Sequence, residues 1–246
     1  MLSLRILSTS LVIAATACGG EALDASAPGE SQQEIRTQDP CGQLHVDLKS
    51  AAVFAVLAGS TVTNTGQTVV VGDLGVSPGT ALTGFLPGKV IGTVHLGDPT
   101  AANSEADLTM AYNDAAGRTR CPVSLAGNLG GLTLAPGLYK STSSLEISSG
   151  DLVLDGKGSS KAVFIFQMSI TLTTTPGRQV ILKGGARAAN VFWQVGSSAT
   201  LGTTTIFKGT IMADQAITLN TGATLEGRAL ARVAAVALDT NTVNRP

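Results

Sequence analysis

Four short segments of the chain carry one pattern, an apolar residue, a small residue or Thr, Leu, a variable polar or small position, then Thr: Ile170-Thr171-Leu172-Thr173-Thr174, Ala199-Thr200-Leu201-Gly202-Thr203, Ile217-Thr218-Leu219-Asn220-Thr221 and Val236-Ala237-Leu238-Asp239-Thr240. The central leucines of the last three, Leu201, Leu219 and Leu238, lie 18 and 19 residues apart. That period is short enough for one rung of a solenoid. A single coil of strand cannot bury its own apolar side, so each copy must lean on the next, and the repeat predicts a β-solenoid. Side chains alternate along a strand, which puts Ile217 and Leu219 inside and Thr218 and Asn220 outside. Stacking the copies as aligned places Thr171, Thr200 and Thr218 in one outward column.

A further copy lies far away in sequence. Thr65-Gly66-Gln67-Thr68 repeats the T-G-x-T of Thr221-Gly222-Ala223-Thr224. Its distance from the others predicts that both ends of the chain contribute to one stack. The 29 glycines suit a chain that turns a corner every few residues, and 43% apolar residues suffice to fill its interior. The segments SLEISSGDLVLDG, AVFIFQMSITLTT and RQVILKGG read as further strands, and Gly72 to Gly79 reads as turns.

One helix interrupts the strands. Asp98 suits the N-cap and Pro99 the first helical position, the next residues lack Gly and Pro, and Gly117 ends the run. Leu108, Tyr112 and Ala115 share a face. The expectation is a helix of about 99–117 along the solenoid, sealing one apolar side, with Glu105 and Asp114 turned to solvent.

The N-terminus has the layout of an export signal over residues 1–17, with Arg5 ahead of an apolar run that is too short to span a bilayer. Ala15-Thr16-Ala17-Cys18-Gly19 resembles a bacterial lipobox, implying lipid on Cys18 and membrane attachment; ordinary cleavage before Cys18, giving a secreted protein, is the other reading left open. Residues 18–40 have the composition of a flexible tether, and residues 41–246 form the folded domain. Export makes a Cys41–Cys121 disulfide the simplest use of the remaining cysteines. Closing a loop of that length contributes about 4 to 4.7 kcal/mol in the chain-entropy description.

Several functions are disfavoured by what the chain contains. With 13% charged residues, a net charge of −1 and 4% aromatics, it offers no basic field or stacking platform for nucleic acid. Asp151 and Asp155 suit turns, His45 and His95 stand apart from other metal-ligating residues in sequence, and no catalytic or metal-ligand spacing is visible, so neither an enzyme nor a metal or cofactor is expected. The single Trp, Trp193 in VFWQ, suits a core better than a glycan platform.

Taken together, FAVLAGSTVTNTG, GDLGVSPGTALTGF, ADLTMAYNDAAGR, LTLAPGLYK, VFIFQ and NVFWQVGSSATLG through LNTGATLEGRALAR resemble the ice-binding (antifreeze) proteins of cold-adapted bacteria, fungi and algae, over roughly His45 to Asn244. The resemblance implies a mainly β fold, a right-handed discontinuous β-solenoid of triangular section with one long helix packed along its axis, and one flat strand face that adsorbs to ice. Some members carry a T-A/G-x-T/N motif on that face. It is matched by Thr65-Gly66-Gln67-Thr68, Thr80-Ala81-Leu82-Thr83 and Thr221-Gly222-Ala223-Thr224, while Thr203-Thr204-Thr205-Ile206 departs from it. The expected ice-facing set is therefore Thr65, Gly66, Thr68, Thr80, Thr83, Thr171, Thr200, Thr203, Thr218, Thr221, Gly222 and Thr224. The expected partner is ice with its ordered water, and a monomer is expected. A surface adhesin or glycan-binding solenoid is the competing reading.

Overall fold

The computed structural model describes residues 41–246, so the expected export signal, tether and lipidated Cys18 lie outside the described residues. Every strand pair in it is parallel, and the strands fall on three faces around a shared apolar interior. The first, the threonine face, is an eight-stranded sheet. It stacks Ala81–Thr83, Thr61–Thr65, Val236–Asp239, Ile217–Leu219, Ala199–Leu201, Leu172–Thr174, Leu145–Ile147 and Gly127–Asn128 in that order. The second, the helix-covered face, includes Gly137–Ser141, Phe164–Met168, Val191–Val195, Phe54–Ala58 and the second halves of the long strands Ile206–Ala213 and Thr224–Ala231. The third carries the first halves of those long strands, flanked by Val180–Lys183 and Leu152–Asp155 on one side and by Thr242–Asn244, Val69–Val71 and Lys89–Ile91 on the other.

The stacking order differs from the chain order. Val62 and Thr63 sit level with Val236 and Ala237 from the far end of the sequence, and Val56 with Ala229. The coils formed early in the chain thus cap the coil formed last. The interior is built from the inward positions of all three faces, including a ladder of rings in which Tyr139 stacks on Phe166 at 5.2 Å and Phe166 on Trp193 at 4.0 Å. Trp193 is fully buried and donates its indole N–H to the Lys208 carbonyl at 3.0 Å, so its polar edge is satisfied inside the core.

Helix α1 occupies Pro99–Gly117. Asp98 caps it, accepting from the Ala101 N–H at 2.8 Å, while its other oxygen meets His95 Nδ1 at 2.7 Å. These contacts, the Ala101 N–H first, hold the Asp98 carboxyl below its ordinary range. Ala101, Ser104, Leu108, Ala111, Tyr112 and Ala115 are buried, and the last four join a second apolar cluster with Leu57, Ile165, Phe192, Met212 and Leu230. Cys41 and Cys121 form a disulfide with Cα atoms 5.4 Å apart, tying the chain just after the helix to the start of the described region.

The helix end is held by the sheet beneath it. The Gln167 amide nitrogen donates to the carbonyls of Ala115, Ala116 and Arg118 at 2.7, 3.1 and 2.9 Å. These last carbonyls have no partner within the helix. One strand over, Gln194 donates to the Tyr112 hydroxyl at 2.9 Å, which donates in turn to the Val195 carbonyl. The Gln167→Leu variant would strip three carbonyls of a buried donor, with an expected cost of about 2 kcal/mol. A thermal melt read at 222 nm should show a drop of about 5 °C; an unchanged melting temperature would show that water replaces the amide without loss.

Two expectations are corrected here. Glu105 does not face solvent: both carboxylate oxygens are shut away from water and none of the described residues donates to them. The helix faces the sheet over a wider arc than Leu108, Tyr112 and Ala115 define. Gly72 to Gly79 is not a run of turns either, since Asp73–Val76 is a strand on the helix-covered face. Gly75 is there for space, because a Cβ at that position would lie 2.6 Å from both Leu57 Cδ1 and Phe54 Cε1.

Candidate ice-binding face

The three faces differ in what they show to solvent. The helix-covered face is closed by α1 along much of its length. The third face is mixed and charged, with Lys208 paired to Glu226 at 2.6 Å and Asp155 to Lys157 at 2.9 Å, and with Lys89 and Lys183 exposed. On the threonine face the only ionisable side chains within the strands are Glu146 and Asp239.

Strand register sets the order of the outward side chains on that face. Thr83 is level with Thr63, Thr63 with Ala237, Ala237 with Thr218, Thr218 with Thr200, Thr200 with Thr173, Thr173 with Glu146 and Glu146 with Asn128. Adjacent members of this column are about 4.8 Å apart and the flanking columns about 6.7 Å to either side. Among the described residues, none takes a hydrogen bond from or gives one to the hydroxyls of Thr63, Thr83, Thr173, Thr200 or Thr218. Those five hydroxyls point out of the sheet with both their donor and acceptor capacity unspent.

Other threonines near the face spend theirs on the protein. Thr61 donates to the Ala81 carbonyl at 3.0 Å, Thr175 to the Ser148 carbonyl at 3.0 Å, and Thr171 meets the Ser144 hydroxyl at 2.8 Å. At the corner where the chain leaves this face, backbone bonds run from Thr240 N to Thr65 O, from Gly222 N to Asp239 O and from Thr204 N to Thr221 O. Thr65, Asp239, Thr221 and Thr203 therefore follow one another up the stack. The Thr221 hydroxyl donates to the Asp239 carboxylate, and Thr240 adds a second donation at 2.9 Å.

The sequence-derived set divides accordingly. Thr83, Thr200 and Thr218 share the central column, whereas Thr65, Thr203 and Thr221 share the corner column. Gly66 and Gly222, with φ of +74° and +72°, make the corner turn itself, so T-G-x-T marks where the chain bends off the face. Thr80 is exposed at the opposite corner, next to Gly97. Three residues are corrected. Thr68 is fully buried and accepts from Asn241 N at 3.0 Å, so it is a core hydroxyl. Thr224 lies on the charged face, level with Thr242 and Ile206. Thr171 precedes Leu172, which is level with Ala199, and this puts Thr171 in a flanking column and Thr173 beside Thr200.

The register slip has a physical cause. Thr174 fills the inward slot that leucine occupies in the neighbouring copies, buried with its hydroxyl 2.8 Å from that of Thr205 and accepting from Gly202 N. A satisfied buried threonine looks like a surface residue in sequence. Thr63 and Thr173 were missed for related reasons; strict alternation counted from the buried Val62 and Leu172 would have found both.

The sequence profile of the family described as Ice-binding-like matches residues 56–244. An ice-binding protein of Nostoc sp. (strain HG1) is 47% identical over 198 residues, covering 80% of this chain and 73% of the relative. One from Colwellia sp. is 37% identical over 220 residues, covering 83% of this chain and 85% of the relative. Among solved structures, an ice-binding protein from an Antarctic biological consortium superposes with a TM-score of 0.81 at 58% identity, covering 82% of this chain and 91% of that one. An ice-binding protein from the Antarctic ascomycete Antarctomyces psychrotrophicus gives 0.78 at 40% identity, covering 81% and 98%. With a family profile spanning most of the described residues and relatives this similar from bacteria and fungi, the chain belongs to the ice-binding protein family.

Proposed function

We propose that this protein adsorbs to ice through the threonine face and thereby inhibits ice growth and recrystallisation. The observation that carries this reading is the column of five threonine hydroxyls with no partner among the described residues, set in parallel register on an almost uncharged sheet. A hydroxyl both donates and accepts, and a β-branched side chain on a strand is stiff, so the water it orders loses little further freedom when it merges with a lattice. Growth between adsorbed molecules then has to proceed over curved fronts, which is unfavourable. The relatives named as ice-binding proteins favour this over an adhesin or glycan-binding role. Burial of Trp193 also removes the aromatic platform a glycan module would use.

Freezing-point hysteresis and recrystallisation in sucrose, measured on the folded protein and on a heat-unfolded control, test the proposal. Inhibition by the folded protein alone is expected, and equal ice growth in both would refute it. Residues 1–17 are proposed to direct export, with Cys18 either lipidated, attaching the protein to a membrane, or left at the start of a secreted chain. Metabolic labelling with a radioactive fatty acid separates the two.

A further inference from the structure

We infer that Glu146 sets where the ice-adsorbing array stops, and that its own coil, regular in backbone, is the stretch of potential ice-binding surface left unused. The inference rests on the threonine face being the surface that meets ice. Glu146 stands in the central column, level with Thr173 on one side and Asn128 on the other, and it is exposed. The backbone there is as regular as elsewhere: Leu145 and Ile147 point inward, fully buried, level with Leu172 and Thr174. What breaks the array is therefore the side chain and not the sheet.

A carboxylate is a poor member of such a surface. It accepts hydrogen bonds but donates none when ionised, and it holds its water by charge, so that water cannot take up the donor and acceptor pattern of a lattice. Pressing an ionised group into a desolvated contact is costly without a counter-charge. Glu146 has no salt-bridge partner among the described residues; its carboxylate's one hydrogen bond among them is from the Ser148 hydroxyl at 3.0 Å. Its long side chain also carries rotamer freedom that adsorption would remove. Asp239, the other acid of the face, differs in length, place and restraint: it is a short side chain at the corner, held down by the hydroxyls of Thr221 and Thr240. Past Glu146 the array does not resume, because Asn128 spends its oxygen on the N–H groups of Gly130 and Ser148 and its nitrogen on Ser149.

A threonine at this position would put a sixth hydroxyl next to that of Thr173, in a strand that favours β-branched residues. Freezing-point hysteresis at matched concentration should be compared for the unaltered protein and the Glu146→Thr, Glu146→Gln and Thr218→Tyr variants, with melts to check folding. Glu146→Thr is expected to bind ice about two- to threefold more tightly, the worth of one added net hydrogen bond at the lower end of its range. Glu146→Gln, which removes the charge but keeps the bulk, should fall between. If Thr218→Tyr lowers hysteresis while both Glu146 variants match or fall below the unaltered protein, Glu146 is not the boundary and the inference fails, with the reading of the face intact. If Thr218→Tyr retains full activity, the reading of the face fails and the inference with it.

Discussion

Replacing Thr200 and Thr218 together by tyrosine is expected to lower freezing-point hysteresis about tenfold while leaving the melting temperature within about 2 °C of the parent. The two residues are level neighbours at the middle of the central column, and both side chains point out of the sheet. A phenol standing above the threonine methyls holds a flat ice surface away from the residues on either side. Loss of contact by the three other threonines of the column, Thr173, Thr63 and Thr83, each worth about 0.5 kcal/mol, gives the tenfold loss. Nothing buried is touched, so stability should hold. The same change at Thr224, on the charged face, should leave hysteresis near the parent value.

The second large effect concerns stability. Burial pushes the Glu105 carboxyl from 4.5 up to about 8, with the nearby Arg232 guanidinium pulling the other way but not far enough. Arg232 is already engaged, bonded to Asp214 at 2.6 Å and to Thr109, and lying 4.6 Å over the Tyr112 ring. The unfolded chain releases the Glu105 proton near pH 4.5, whereas the folded chain keeps it until about pH 8. Between those values the folded state binds more protons, so stability falls as pH rises. At about 1.4 kcal/mol per unit the loss across the window is at most on the order of 5 kcal/mol. Asp98, Asp107 and Asp155 act in the opposite sense: their folded pKa values lie below 3.8, so their contribution is present above that pH and fades as the pH drops through the folded values. Glu105→Gln cannot ionise. It should be more stable than the parent by about 2 to 4 kcal/mol at pH 8, with the gap closing toward pH 4.5. Urea melts of both proteins at several pH values will show it, and parallel stability curves would mean that Glu105 reaches water or a donor in the folded state.

The solenoid was legible because its repeat is written in apolar residues. Leu201, Leu219 and Leu238 must be apolar to fill the core, and their spacing exposed the coil. The helix was legible for similarly local reasons, an Asp cap and a Pro at its first position. The face was read two residues out of register at the copy around Leu172, where Thr174 had gone inside. Thr68, Thr174 and Thr205 are buried and hydrogen-bonded, and no local signal distinguishes a hydroxyl satisfied by a distant coil from one left to solvent. Glu105 failed for the same reason in reverse, a charged residue type on a helix face that the fold happens to close. Gln167 and Gln194 gave no warning of their roles either, because their partners on α1 are about 50 and 80 residues away.

The central claim is that the threonine face, and no other, meets ice. Fluorescently labelled protein adsorbed to a single-crystal ice hemisphere tests it most directly, with the parent, Thr218→Tyr and the charged-face variant Lys183→Tyr compared under one condition. The parent and Lys183→Tyr should illuminate the same ice planes equally, and Thr218→Tyr should leave them much dimmer. Bright planes with Thr218→Tyr, or a dark hemisphere with Lys183→Tyr alone, would contradict the account.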